Sequence, residues 1–453
     1  MTYEYYGDMR PFQHQLETIK FMLANKKAYI FLDMGLGKSA CSLWFLDMLF
    51  EHKKIKKALI ISPLSTIYSV WVNEIKKICP YRKYAVVHGN KADRLEALSS
   101  DASILITNTD CPRNYEKELM DVNADVIIID EVTNFAKSSS QRSKSLQKIT
   151  KRCKAVYGLT GSPVAGGLIN SFGLAKVVNP SALPTGYFTR YRDLILYQVN
   201  MYEYIPRPNA LEIVNKTLSP SIKYRLEDVI DLPPIMYETR HVELPATTMS
   251  LFKTMLEHQI AEVREGLITA ATAGVKAIRL LQILTGSTKT EDGQVVYTDI
   301  HPRLDELLSI YESAGNKLVI FTQSVRSVHI ITDFLKSKGI FAEYIYGEVT
   351  NRERSDIIDR FQTMDEGVLV AQYKTVSHGI TLTKSHVIVF FGPVAGNELY
   401  RQAIRRIRRI GQTRRQVIVK MVSTKFEEKI FDKLDNEELT AQSLLDLYSG
   451  DID

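Results

Sequence analysis

Apolar and polar positions along this chain fall into two kinds of block. Short, largely apolar runs are separated by longer stretches in which apolar residues recur at helical spacing. The first runs are Ala28–Leu32, Ala58–Pro63, Ile104–Thr107, Val126–Glu131 and Ala155–Leu159. Between them, Leu16–Leu23, Ala40–Leu49 and Ile67–Ile78 read as helices. Leu16, Ile19 and Leu23 share one face, and Trp71, Ile75 and Ile78 share another. Strands apolar on both faces, alternating with helices, predict a parallel sheet covered on both sides. From about Asn170 to His301 the pattern changes, and tyrosines, prolines and longer helical stretches (Ala246–Glu265, Ala270–Leu284) replace short strands. The alternation then restarts. Strands are expected at Lys317–Phe321, Phe341–Tyr346, Val368–Ala371, Val387–Phe391 and Val417–Val422, and helices at Val325–Lys336, Arg352–Phe361 and Leu399–Arg409. The expected organisation is an α/β lobe over 1–170, a mostly helical connecting region over 171–301, a second α/β lobe over 302–424 and a helical tail over 425–453.

A chain of 453 residues with 45% hydrophobic and 24% charged residues has material for two or three soluble domains with ample core. The net charge of +6 is mild, so where the charge sits matters more than its total. Cys41, Cys79, Cys111 and Cys153 are far apart and lack C-x-x-C spacing, which argues against a zinc site and for a reducing compartment. Met1–Arg10 is polar and tyrosine-rich, and no run is long enough to span a bilayer. The expectation is a cytoplasmic or nuclear-type soluble protein, untethered to membrane.

Chemistry enters with Asp33-Met34-Gly35-Leu36-Gly37-Lys38-Ser39, between the first strand and the first long helix. A glycine-rich turn there exposes backbone N–H groups at the positive end of a helix dipole, a seat for phosphates. Lys38 would reach the β/γ-phosphates and Ser39 would hold Mg²⁺. Leu32 stands where the full consensus has a glycine. A flexible loop with an incidental Gly-Lys-Ser is the plain alternative, and the strand before and helix after weigh against it. Asp130 and Glu131 end the strongest apolar run. An acid there binds Mg²⁺, and its neighbour is placed to orient or deprotonate an attacking water. Gln402–Gln412 interleaves Arg405, Arg406, Arg408 and Arg409 with Ala403, Ile404, Ile407 and Ile410. Such a run is usually a solvated basic face. Arginines held by an apolar stripe suit either a transferring phosphoryl group or a nucleic-acid backbone.

These stretches together resemble the Swi/Snf-type branch of superfamily 2 helicases and translocases, in family order over nearly the whole chain. Asp33–Ser39 resembles D-E-M-G-L-G-K-T, and Ile61-Ser62-Pro63-Leu64 with Trp71 and Glu74 resembles motif Ia. Asp130-Glu131-Val132-Thr133 stands for D-E-A-H or D-E-G-H, and Leu159-Thr160-Gly161-Ser162-Pro163 for L-T-G-T-P. Leu232-Pro233-Pro234 resembles the segment between lobes, Val319–Gln323 resembles motif IV, and Gly347 through Arg354 to Phe361 resembles the G-S-T…R…F segment. Gln402–Gln412 matches Q-A-x-x-R-x-x-R-x-G-Q. Departures are Thr133 for histidine, Gly166 near an expected asparagine, Thr381 in a partial motif V, and Gly392-Pro393 without the preceding aspartate.

The resemblance implies two RecA-like lobes joined by a helical region, with ATP and Mg²⁺ as cofactors. It implies Lys38, Asp130, Glu131, Arg406 and Arg409 as catalytic, the two arginines reaching the γ-phosphate. Nucleotide contacts are implied at Gly35, Leu36, Gly37, Lys38, Ser39 and Gly379, and at Gln15 as adenine reader, with Gln13 the competing assignment. Ser39 and Asp130 would hold the metal. Ser62, Pro63, Thr107, Asn108, Thr160, Thr322, Gln323 and Lys374 would meet nucleic acid. The implied function is a DNA-dependent ATPase, a monomeric bare motor that tracks on duplex, forked or branched DNA and remodels forks or junctions. The rivals are a processive strand-separating helicase, an ATP-switched scaffold with little turnover, and an RNA helicase. The last is disfavoured because the arginine motif ends in Arg-Ile-Gly-Gln rather than H-R-x-G-R.

Overall fold

The structure is a computed structural model that describes residues 3–164, 167–199, 204–229, 233–265, 270–289, 293–377, 382–394, 396–409, 412–436 and 438–448. The chain divides into two compact units, Met1–Ile230 and Asp231–Asp453.

The first unit is built on a seven-stranded sheet. In chain order its strands are β1 (Lys27–Leu32), β2 (Ala58–Ser62), β3 (Tyr84–Val87), β4 (Ile104–Asn108), β5 (Val126–Ile129), β6 (Ala155–Thr160) and β7 (Ser221–Tyr224). Their order across the sheet is β3-β4-β2-β5-β6-β1-β7, and every pairing is parallel. The interior strands are the apolar runs of the sequence, and β2, β5 and β6 are buried along their whole length. The register aligns their carboxyl ends, with Ile61 opposite Ile129 and Phe31 opposite Thr160. The loops carrying the candidate chemistry therefore leave the sheet along one edge, where ligands of parallel sheets sit.

The second unit has a six-stranded parallel sheet of β8 (Ile235–His241), β9 (Lys317–Thr322), β10 (Ala342–Ile345), β11 (Gly367–Gln372), β12 (Val387–Phe390) and β13 (Gln416–Val422), in the order β8-β13-β12-β9-β11-β10. Its core takes in the C-terminal segment, which forms two helices, Lys425–Asp435 and Ala441–Leu447. Phe426, Ile430, Phe431, Leu434, Leu444 and Leu447 are buried against the sheet domain. Arg303 and Glu427, both fully buried, form a bidentate ion pair at 2.6 and 2.7 Å that ties helix His301–Ser313 to helix Lys425–Asp435.

Two parallel sheets flanked by helices is the architecture expected from the sequence. The stretch between the expected lobes is less purely helical than its pattern implies. It supplies an edge strand to each sheet, β7 and β8. Both are polar and half-exposed, as edges are, and lack the apolar run that marks an interior strand. Helix Leu399–Arg409 also differs, running from Asn397 only to Ile404. After Ile404 the backbone tightens, with Arg406 N bonding Ala403 O at 3.1 Å and Ile407 N bonding Ile404 O at 3.3 Å. The arginines at 405–409 thus lie in turns. Among the described residues no helix is long and apolar enough to cross a membrane.

Candidate functional site

β1 ends at Leu32, and the loop Asp33–Gly37 leads into helix Lys38–Glu51. Gly35 (φ 89°) and Gly37 (φ 79°) take the left-handed conformation that the tight turn requires. Gly37 is needed a second time, because a Cβ there would lie 2.3 Å from Gln15 Nε2. Gln15 is buried under the loop. Its Nε2 donates to Leu36 O at 3.1 Å, and its Oε1 accepts from Phe12 N at 2.9 Å. Gln13 faces solvent and donates to Glu17 at 2.8 Å. The Lys38 ammonium donates to Leu32 O at 2.8 Å, a carbonyl partner that a phosphate oxygen can replace. Ser39 is half-buried in the first helical turn. Behind the loop, burial pushes the Cys41 thiol up to about 12, so it stays protonated.

Asp130 follows β5 and is held on three sides. Its Oδ2 accepts from Ser62 Oγ and from Trp71 Nε1, each at 3.0 Å, and its Oδ1 accepts from Glu131 N at 3.1 Å. Glu131 sits at φ 48°, a conformation a non-glycine residue adopts at a cost, as occurs at functional sites. Its Oε2 accepts from Thr160 Oγ1 at 3.3 Å, and Thr160 Oγ1 accepts from Ser162 N at 3.2 Å. Hence the D-E pair and the Thr-Gly-Ser segment are joined through one carboxylate. Desolvation raises the Glu74 carboxyl above its ordinary range, with Lys77 opposing.

Several residues expected on nucleic acid turn inward instead. Ser62, Thr107 and Thr322 are fully buried. Ser62 is spent on Asp130, and Thr107 Oγ1 donates to Val87 O at 3.2 Å. None of those three side chains is open to solvent. The reason is register, since each is the last or next-to-last residue of an interior strand. Thr160 is likewise buried, and its hydroxyl is committed to Glu131. Pro63, Asn108 and Gln323 are half-buried and Lys374 is exposed. Asn108 Oδ1 accepts from Cys111 N at 3.0 Å, which caps the following turn.

In the second unit Arg406 is buried and Arg409 half-buried. Arg409 Nε donates to Arg405 O at 3.2 Å, and desolvation lowers its guanidinium to about 10, which leaves it cationic at neutral pH. The arginine turn is pinned to segment 382–385. Leu382 N donates to Arg406 O at 2.9 Å, and buried Gln412 donates to Thr383 O and Ser385 O at 3.1 and 2.9 Å. Gly379, Gly166 and Thr381 lie outside the described residues. The sequence pattern gave no role to Gln412 as a hub, nor to Trp71 as a partner of Asp130.

Asp130 and Ser39 present hard oxygen donors, the kind Mg²⁺ prefers. Among the described residues no cluster of three or more His, Cys, Asp or Glu side chains could hold a metal. A single carboxylate whose Oδ1 accepts from Glu131 N at 3.1 Å and keeps a second lone pair fits a metal carried mainly by nucleotide phosphates and water.

A family model described as the SNF2-related domain matches residues 14–291, and one described as the helicase conserved C-terminal domain matches residues 301–411. An uncharacterized ATP-dependent helicase of Mycoplasma genitalium is 25% identical over 447 residues, covering 96% of this chain and 42% of its own length. Chromodomain-helicase-DNA-binding protein 1-like of Danio rerio is 24% identical, over 93% of this chain and 42% of its own. The chain thus spans less than half the length of both relatives. Protein p41 of Acyrthosiphon pisum secondary endosymbiont phage 1 is 26% identical over 88% of each chain. Among solved structures, the Sulfolobus solfataricus SWI2/SNF2 ATPase core in complex with dsDNA is similar with a TM-score of 0.47 and 22% identity, covering 99% of this chain and 95% of that one.

Proposed function

The chain belongs to the SNF2-related family, and on that premise we propose that it is an ATP-hydrolysing motor of the helicase/translocase type that tracks along duplex or branched DNA and remodels forks or junctions. The observation that carries the reading is the single sheet edge bearing the Gly35–Lys38 loop, Asp130, Glu131 and Thr160. In this reading Lys38 exchanges its carbonyl partners for the β/γ-phosphates. Asp130 and Ser39 hold Mg²⁺, which neutralises charge on the phosphate oxygens. Glu131, oriented by Thr160, accepts the proton of the attacking water. Arg406 and Arg409 stabilise charge on the transferring phosphoryl group, an effect of roughly 10³–10⁵ in rate where arginine fingers are known. Gln15 reads the adenine rather than Gln13, because Gln15 alone is built into the loop. Pro63, Asn108, Gln323 and Lys374 remain the candidates for backbone contacts, which fix position without reading sequence.

The test is ATP turnover measured side by side with duplex DNA, single-stranded DNA, forks and RNA, with Lys38→Ala as control. Strongest stimulation by duplex or forked DNA, lost in Lys38→Ala, is expected. Stimulation by RNA alone, or near-normal turnover in Lys38→Ala, overturns the reading.

A further inference from the structure

His14 is a buried titratable side chain that the proposed function leaves unused. It precedes Gln15 on helix Gln13–Ala24, and its Nε2 lies 3.1 Å from Leu36 O. That carbonyl also accepts from Gln15 Nε2 at 3.1 Å. A ring nitrogen meets a carbonyl only as a donor, so His14 Nε2 carries a proton. Two consecutive residues of one helix therefore take both lone pairs of one loop oxygen. The His14 ring is itself held in place. The Phe12 ring lies parallel to it, 8° between planes and 6.1 Å between centroids, and the Tyr224 ring meets it edge-on at 5.8 Å. The Tyr224 hydroxyl bonds Glu17 of the same helix.

Leu36 stands between Gly35 and Gly37, both left-handed, and a peptide flanked by glycines turns over with little steric resistance. The Leu36–Gly37 peptide is trans, so its N–H points opposite to its carbonyl. With the carbonyl fastened to helix Gln13–Ala24, the Gly37 N–H is aimed away from that helix, at the start of helix Lys38–Glu51. Such N–H groups make a phosphate seat. A flipped peptide would offer a carbonyl to the phosphates instead. It would also strand two buried donors, since His14 and Gln15 are both buried. We propose that His14 is a positioning residue for the phosphate seat, holding the Leu36–Gly37 peptide with Gln15 so that the Gly37 N–H faces the triphosphate of a bound nucleotide. This rests on the reading of Gly35–Lys38 as the nucleotide loop. His14 then serves the phosphates, which all nucleotides share, and leaves the base to Gln15.

The experiment is calorimetric titration of the full chain with the β,γ-imido analogue of ATP and, separately, with inorganic tripolyphosphate, which has no base, both with Mg²⁺. Turnover of ATP at saturating duplex DNA is measured in parallel. His14→Phe keeps a ring between Phe12 and Tyr224 and removes the donor. His14→Gln carries an amide N–H at about the reach of Nε2. A lost hydrogen bond is worth roughly two- to tenfold in an equilibrium constant. His14→Phe should weaken both ligands by about the same factor within that range. It should raise KM for ATP by that factor and leave kcat within about twofold, because the contact serves ground state and transition state alike. His14→Gln should recover most of the loss. A loss confined to the ATP analogue overturns the proposal, because His14 would then serve the base. Unchanged affinity of His14→Phe for both ligands overturns it as well, and so does a His14→Gln protein no better than His14→Phe. His14→Leu carries the same test if His14→Phe fails to fold. Failure of wild type to bind the magnesium-nucleotide at all refutes the nucleotide loop itself, a separate result.

Discussion

Glu427→Gln tests how the second unit is held together. The Glu427 carboxylate receives Arg303 Nη2 at 2.6 and 2.7 Å and Ser423 N at 2.7 Å, with no exposed surface on either charged side chain. Arg303 also donates to Phe391 O at 2.6 Å and Ser423 Oγ at 3.0 Å. One ion pair therefore ties helix His301–Ser313 to the segments that follow β12 and β13. The glutamine amide keeps the shape but leaves a guanidinium buried without its anion. Breaking a buried pair from one side costs about 3–5 kcal/mol. For a unit of this size that is roughly 6–20 °C of melting temperature. Replacing both partners, as in Arg303→Met with Glu427→Leu, removes the unpaired charge. It also orphans the Phe391 carbonyl and the Ser423 N–H, each about 1–3 kcal/mol when buried and unmade. The double variant should recover only part of the loss. Differential scanning calorimetry on wild type, Arg303→Met, Glu427→Leu and the double variant reads all four corners of the cycle, with Glu427→Gln measured beside them. A Glu427→Gln protein melting within about 2–4 °C of wild type, the shift from a single kcal/mol, would refute the claim that this charge is uncompensated without its partner.

Three further outcomes are expected. Glu131→Gln should bind ATP and fail to turn it over, because Asp130 keeps its donors while the base is lost; loss of nucleotide binding measured by calorimetry would instead implicate the left-handed turn at this residue. Arg409→Ala should lose on the order of 10³ in turnover at saturating DNA, with ATP binding within several-fold, and Arg409→Lys should rescue poorly; equal modest losses at positions 405, 406, 408 and 409 would mean a basic DNA-binding face only. Affinity for duplex DNA should fall steeply with salt, with a log–log slope near about −0.9 per phosphate neutralised, and should be indifferent to sequence; a flat salt response in a fluorescence-anisotropy titration contradicts backbone tracking.

What could be read from the sequence divides along a physical line. Interior strands announced themselves, because burial on both faces demands an unbroken apolar run, as in Val126–Ile129. Three of the four edge strands did not, the exception being β10 (Ala342–Ile345). Tyr84–Val87 and Ile235–His241 are half-exposed, so their side chains look like those of loops. The arginine motif was legible in composition but not in conformation. Ala403, Ile404 and Ile407 keep helical spacing, yet Ile407 is buried in a turn that Leu382 fastens from a distant part of the chain and Gln412 from just beyond it.

The same division runs through the candidate site. Residue identity was enough to single out Asp130 as a candidate, since an acid pair ending an apolar strand downstream of a glycine-rich loop has few other uses. Identity could not say which atoms would hold it. Ser62 follows the expected pattern of a strand-end hydroxyl aimed at a phosphate backbone, and it is instead a partner of Asp130. What decides between the two is the pairing of β2 with β5. Ile61 stands opposite Ile129, and Asp130 N bonds Ile61 O at 2.8 Å, so the next residue on β2 must lie beside the carboxylate. Trp71 then reaches the same oxygen only because its helix is wound with an extra residue per turn, which no apolar periodicity records. The segment expected to grip nucleic acid thus bonds Asp130, and that contact is a property of register and winding rather than of the motif's letters.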